Sequence, residues 1–330
     1  TVRNSGDSGG INISGVQLKD VYWGIKEVPW MGDVLVGHFK APMSMEELTS
    51  SRFITFMERG SPNIFVPARE LGGAAYNRNA AETLTWAYGV FADNLDEIAK
   101  ERENDNQGTT FVTRGTWLPY YDDPSGGRYL LHTGVSYRYT DDNDDRVQFR
   151  AREETGLGPR WIDTGAITTE GFHVLQTEAA LVWGPFSLQS EFFYVPLHDN
   201  GAAATPNWAG FGPTTRDFYG AYVYGSWFLT GESRNYRRDR GIFDRVTPHT
   251  NFWAIRGAGI GTGAIELTSR LSYLDLGMDG IPAATGGVTN PRAQYENAGM
   301  ETDLTLGISW YWNPYVRWMF NYIHSWNVYD

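Results

Sequence analysis

The 330-residue chain contains no cysteine. That removes disulfides, thiolate metal sites and cysteine nucleophiles, and leaves an oxidising compartment permitted but unsupported. No apolar run approaches the ~18 residues of a membrane-spanning helix, which excludes a helical membrane protein and says nothing about strands. Histidine is scarce: the six residues, at 38, 132, 173, 198, 249 and 324, show no HxH or HExxH spacing. There is no Walker loop. The glycine rhythm of "GAGIGTGAIE" (257–266) leads into a strand pattern and not a helix. No enzyme site assembles from these parts, so neither catalytic residues nor a metal or cofactor is expected. Bases are in deficit too, 27 Lys and Arg against 39 Asp and Glu, and the formal charge of −12 disfavours nucleic acid as a partner. The opening "TVRNSGDSGG" has neither the basic nor the apolar part of a signal peptide. An exported protein is therefore expected to have lost its start here.

What is present is aromatic and glycine-rich. The chain carries 13 Trp, 19 Tyr, 17 Phe and 38 Gly, yet its mean hydropathy is −0.41. A soluble core of this size would use more Leu, Ile and Val and fewer large amphipathic rings. Polar overall and rich in aromatics is the profile of a closed sheet that is wet inside and greasy outside, as in transmembrane β-barrels.

The strand signal is strict alternation. In "TDLTLGISWYWNPYVRWMFNY" (302–322), Leu304, Leu306, Ile308, Trp310 and Trp312 take every second position between small or polar residues. After an Asn313-Pro314 turn the pattern resumes at Val316, Trp318, Phe320 and Tyr322. Similar segments recur along the chain: 15–28, 32–42, 69–79, 82–92, 109–121, 128–140, 146–153, 172–184, 185–197, 216–231, 251–257 and 263–276 precede the final pair, with 160–167 as a further candidate. The reading is about fourteen strands, joined by short turns and by longer loops rich in Gly, Asp, Asn and Pro at 93–107, 198–214, 231–248 and 277–298. A barrel alternates short turns with long loops. That rule fails mid-chain, so either a strand lies unseen between 153 and 171 or one long connection sits on the turn side.

Charged positions decide the solvent. Asp303, Arg317, Glu178, Glu191, Arg270 and Arg138 sit mid-strand, each on the face opposite the aliphatic and aromatic residues. A dry soluble barrel would bury that row at prohibitive cost unless it were paired. A soluble sandwich could expose it. Strands of 12 to 14 residues are long for a sandwich, however, against a usual ~5–6. A sandwich also leaves unexplained why Trp23, Trp227, Trp310 and Trp312 collect towards strand ends.

The connection "GHFKAPMSMEELTSSRFITFMERG" (37–60) closely resembles a signature of the phosphate-selective porin O and P family of bacterial outer membranes. "FRAREE" with "RWIDTGAI" (149–167), "WFLTGESRNY" (227–236), "LSYLDL" (271–276) and "NPYVRWMFNY" (313–322) are similar to further blocks of that family, in the same order. The resemblance covers nearly the whole chain. It implies an all-β transmembrane barrel of about sixteen strands, about fourteen of them visible, forming one domain over 1–330. It implies a homotrimer in the bacterial outer membrane, in contact with lipid and lipopolysaccharide, and a loop at 42–68 folded inward to narrow a lumen lined by Arg and Lys. Small anions, phosphate among them, would be the solutes. Members usually carry further strands before "VQLKDVYWGIK" and after "FNYIHSW"; the chain is accordingly expected to be incomplete at both ends.

Within loop 42–68, "SMEELTSS" suits a short helix with Ser44 as N-cap and Glu47 three residues on. "RFITFMERG" would then carry Arg52 and Arg59 into the constriction, where bases in a confined pore attract anions. The competing reading is that these arginines pair with Glu46, Glu47 or Glu58 and merely hold the loop. Lys40, Arg69, Arg114, Arg138, Arg150, Arg152, Arg270 and Arg317 are the candidate bases along the wall, since a lipid-facing Arg costs ~2–4 kcal/mol at the midplane. The acidic runs "DDNDD" (141–145) and "FADNLDEIAKEREND" (91–105) read as solvated loops, with a loop-bound divalent cation as the sharper alternative. Two functions stand: a passive, water-filled porin for small hydrophilic solutes and ions, and a barrel serving as an envelope scaffold. Given the acidic balance, a general diffusion pore fits as well as a phosphate-selective one.

Overall fold

In a computed structural model of the chain, the described residues are 19–92, 108–141, 146–164, 167–199, 214–252, 260–277 and 298–329. All of 93–107, 142–145, 200–213, 253–259 and 278–297, which hold most of the acidic runs, several long loops and most of the strand expected at 251–257, lies outside them. The chain forms one large antiparallel sheet of twelve strands, each paired with its neighbour in chain order. These are β1 (Val21–Val28), β2 (Gly32–Lys40), β3 (Arg69–Arg78), β4 (Leu84–Ala92), β5 (Thr109–Tyr121) and β6 (Tyr129–Asp141). They continue as β7 (Gly171–Trp183), β8 (Phe186–Asp199), β9 (Thr214–Phe228), β10 (Ala264–Asp275), β11 (Gly299–Asn313) and β12 (Val316–Tyr329).

The expected fourteen strands become twelve among the described residues. Segments 146–153 and 160–167 give no wall strand: Arg146–Val147 pairs with Ile167–Thr168 and Arg150–Ala151 with Ile162–Asp163, within the β6–β7 connection. The broken alternation has its explanation further on, between β9 and β10. Residues 229–263, between β9 and β10, are long where the order of turns and loops demands a short turn.

The two faces of the sheet are inverted relative to a soluble protein. Leu306, Trp318 and Leu267 are 44 %, 62 % and 38 % exposed, while the interleaved Thr305, Glu266, Thr268 and Arg270 are buried. The exposed rings form two belts. Near the turns, Trp183 packs on Tyr129, Phe186 stacks on Trp227, and Trp310, Trp312 and Trp318 cluster. Near the loops, His173 packs on Tyr137 and Tyr139, and Tyr194 stacks on Tyr219. On β7, His173 and Trp183 lie ten positions apart. That is about 33 Å of strand, or about 25 Å along the normal at a ~40° tilt, the height of an outer-membrane apolar band.

Inside, the chain is less open than its alternation suggests. At the loop end, inward-facing Phe172, Phe193, Phe218 and Leu274 are buried with Phe65 and Phe149 of the two connections that fold in from that side. Polar side chains dominate the middle of the barrel. Gly220 shows how closely the first connection lies on the wall: a Cβ there would stand 2.8 Å from Pro62 Cβ and 3.0 Å from Phe65 Cε2. Gly220→Val is expected to cost ~1–3 kcal/mol in urea unfolding of the refolded protein. Gly115→Ala, whose Cβ meets nothing within 4 Å, should stay within ~0.5 kcal/mol.

Candidate functional site

The connection 41–68 enters the barrel through a single helical turn, Met45–Leu48. Ser44 caps it as its spacing foretells, its Oγ accepting the Glu47 amide at 3.1 Å. The Glu47 carboxylate does not complete the capping box; it bridges Lys40 and Arg59, each at 3.0 Å. The unpaired amides of a helix start need acceptors, and two wall glutamates supply them. Glu178 and Glu191 face each other across β7 and β8. Glu191 accepts from Ser44 Oγ at 2.7 Å and the Glu46 amide at 2.8 Å; Glu178 accepts from the Met45 amide at 3.0 Å. Glu178 also binds the Arg114 guanidinium at 2.5 Å and lies 3.0 Å from His132 Nε2.

Arg270 holds the other side of the loop. Its guanidinium is 2.5 Å from Glu154 and 3.2 Å from Glu46, donates to the Glu58 carbonyl and lies 4.3 Å over the Phe56 ring. Ser272 and Thr305 each donate to Glu154 at 2.5 Å. Burial pushes the Glu46 carboxyl above the usual carboxylate range, against the pull of Arg270 beside it.

The third inserted segment comes from the turn side, residues 229–252. It carries four arginines in seven residues, at 234, 237, 238 and 240. Arg234 donates to Tyr224 at 2.6 Å and Gln189 at 3.2 Å and stacks on Phe243; Arg238 pairs with Asp123 at 2.7 Å. The Tyr236 hydroxyl is 2.6 Å from His132 Nδ1, and Arg114 donates to the carbonyls of Arg240 and Gly241. Arg114 thus ties the turn-side segment to the wall, and its partner Glu178 holds the start of the helical turn.

Between the two segments and the β1–β5 wall lies a cavity of about 470 Å³. Five bases line it, Lys40, Arg69, Arg114, Arg237 and Arg240, against two acids, Asp20 and Asp239. The carboxylates that pair with Lys40 and Arg114, Glu47 and Glu178, are themselves buried behind them. Arg69, Arg237 and Arg240 are part-exposed to the cavity together with Asp20 and Asp239, Lys40 less so, and Arg114 is buried in its pair with Glu178. Burial opposes ionisation of Asp239, but the hydrogen bond from Arg237 and the charges of Arg237, Arg240 and Arg78 together hold the carboxyl below its usual range. A second cavity of about 450 Å³ near the turns is lined by Arg52, Arg245 and Arg317 with Phe53 and Tyr315, and by no acid among the described residues.

The candidate residues of the sequence divide accordingly. Lys40, Arg69 and Arg114 line the first cavity, and Arg52 and Arg317 the second. Arg59 does not project into free lumen. It folds back on Glu47 and the carbonyls of Glu46 and Thr49, because the turn offers it that many acceptors. Glu46 and Glu47 are structural partners, and Glu58 is exposed. Arg270 and Arg138 are inward but buried in pairs: Arg138 sits 3.8 Å from Glu70 and over the Phe172 ring. Arg150 and Arg152 are not wall residues, since their segment is part of a connection. Missed by sequence reasoning were Arg237 and Arg240, hidden in what read as an ordinary loop. Their signal was a basic run in an acidic chain.

A family model described as phosphate-selective porin O and P matches residues 2–329. The chain is 26 % identical over 306 residues to Porin O of Pseudomonas aeruginosa, covering 85 % of this chain and 62 % of that protein. It is 29 % identical over 271 residues to an uncharacterized protein of Caulobacter vibrioides, covering 81 % of this chain and 50 % of that one. The chain therefore spans between half and two thirds of the length of these relatives. It belongs to the phosphate-selective porin O and P family, a family of bacterial outer-membrane channel proteins and not of enzymes.

Proposed function

From that membership, we propose that the chain forms the greater part of an outer-membrane porin: a water-filled channel through which small hydrophilic anions diffuse passively. The observation that carries this is the cavity between the inserted segments, with its five bases against two acids. Water-exposed cations on a low-dielectric wall concentrate anions and repel cations, and the inserted segments supply the narrowing that makes the field count. Phosphate is the anion the family's description names. An Arg fork offers it bidentate hydrogen bonds that chloride cannot use. The homotrimer and the contact with lipopolysaccharide belong to the same proposal, and chemical cross-linking of the purified protein reads the first of them.

A scaffold with little conductance is the second reading, and one observation favours it: the loop end of the interior is packed with phenylalanines from wall and connections. Planar-bilayer recording separates the two. The porin reading expects steady unitary steps and, in a salt gradient, a reversal potential of the sign set by anion flow. Absence of channels supports the scaffold, and a cation-selective reversal potential defeats the role given to the basic cavity.

A further inference from the structure

The second cavity, near the turns, has a chemistry that the passage of small inorganic ions does not use. Its volume is about 450 Å³, its charge is all of one sign among the described residues, and the rest of its wall is largely ring and aliphatic surface. Arg245 is held there by aromatic rings. Its guanidinium carbon lies 4.5 Å from the centre of the Tyr315 ring and 5.3 Å from that of Phe53. Its Nε is buried with no hydrogen-bond partner among the described residues. Asp244, next to it in the chain, accepts the Arg245 backbone amide at 2.7 Å, and Asn235 donates to the Arg245 carbonyl at 2.5 Å, so the backbone that carries the guanidinium is fixed. Arg317 is spent differently. It donates to the Ile54 carbonyl at 2.7 Å and the Ser51 carbonyl at 3.4 Å, which fastens 51–54 to β12 and sets Arg52 and Phe53 at the cavity.

A guanidinium held against two rings is pre-organised, and its fork matches the two oxygens of a carboxylate. A buried donor left unused carries a cost that an oxyanion relieves. The rings decide which kind of oxyanion. Phosphate needs donors for all of its oxygens, and aromatic walls would strip their water and leave some of them unpaired. One carboxylate on a flat apolar body suits both parts of the cavity, the fork and the ring faces beside it. We propose that Arg245, Tyr315 and Phe53, with Arg52 as a second positive charge, form a binding site for aromatic monocarboxylates of the benzoate class. The site does not depend on conduction, so it stands or falls separately from the porin reading.

The test is an equilibrium measurement with no membrane and no current. Fluorine NMR follows 4-fluorobenzoate added at low salt to the full-length protein refolded in detergent, against detergent alone. The line is expected to broaden and shift with a Kd of about 1 mM, and unlabelled benzoate to displace the probe. Acetate, which has the carboxylate without the ring, should compete at least ~10-fold more weakly, and inorganic phosphate no better than acetate. Arg245→Gln should weaken binding ~10-fold or more. Tyr315→Ala should weaken it about 5-fold, while Tyr315→Phe, which keeps the ring, should stay within about 2-fold. A wild type that does not bind the probe overturns the proposal, as does unchanged binding in Arg245→Gln. Phosphate or acetate competing as well as benzoate overturns the aromatic class, and an equal loss in Tyr315→Phe and Tyr315→Ala overturns the role given to the ring. Should Arg245→Gln fail to fold, the wild-type competition and the two Tyr315 variants decide, since Tyr315 is 81 % exposed on its turn.

Discussion

Replacing Arg270 with Met is expected to destabilise the barrel by about 3–5 kcal/mol, more than any surface change in the chain. Methionine fills most of the arginine's volume and keeps contact with the Phe56 ring, so little of the loss is packing. What remains is electrostatic: Glu154 and Glu46, both buried, lose the one guanidinium that reaches both of them, at 2.5 and 3.2 Å. The Glu58 carbonyl loses its donor as well. Urea unfolding of the refolded protein measures the loss. The sign of its pH dependence follows from burial. Carboxyls stripped of their cation have raised folded pKa values, so the variant's penalty is smallest in acid, where they take up protons, and grows as pH rises through those values. Glu154→Gln in the Arg270→Met background should recover a large part of the loss. A penalty under ~1 kcal/mol at neutral pH would mean that water reaches the cluster and screens it.

The second large effect concerns transport. Arg237→Glu with Arg240→Glu leaves the first cavity with three bases and four acids among its lining residues, where the wild type has five and two. Both side chains are partly exposed, so folding should tolerate the change. Each unit of charge at ~6 Å is worth about 0.7 kcal/mol even at the dielectric of water. The double reversal moves the cavity by four units. With screening over a ~10 Å Debye length at 0.1 M salt, the anion-to-cation permeability ratio should fall about 10-fold or more. Reversal potentials in a KCl gradient read it directly, and the effect should shrink as salt rises. An unchanged ratio would place the selective step elsewhere, with the second cavity of Arg52, Arg245 and Arg317 as the next place to look.

Much of this was legible before any coordinates. Alternation over 302–322 marks β11, the Asn313-Pro314 turn and β12, and the exposure of Leu306 and Trp318 follows from it. Ser44 with Glu47 marks the helical turn of the inserted loop. Less legible was anything that depends on what an inward-facing residue meets. On β7 the period of two continues through Phe172 and Val174, but these inward residues are apolar because Phe149 lies against Phe172 in the lumen. The polar marking of the inner face is lost there. For the same reason 146–153 and 160–167 resemble strands without being wall strands. They are apolar on the side that packs against the barrel, and β-rich sequence next to a β wall looks like one more strand.

The individual bases divide the same way. That arginines line the interior was expected, since lipid would not accept them; that Arg59 folds back while Arg240 faces water was not. The partners of Arg59, namely Glu46, Glu47 and Thr49, lie 10 to 13 residues back in the same connection. Those of Arg114 and Arg240 are more than a hundred residues away or on another segment.

By itself, then, the amino-acid sequence determined the period of two, the inversion of greasy and wettable faces, the family and the presence of an inserted loop, because each is written in neighbouring residues and in the solvent they must meet. Tertiary structure alone decided which connection enters from the turn side, which bases are spent on pairs and which reach the cavity. Those outcomes turn on contacts between residues far apart in the chain, and a buried ion pair exists only when both of its members arrive.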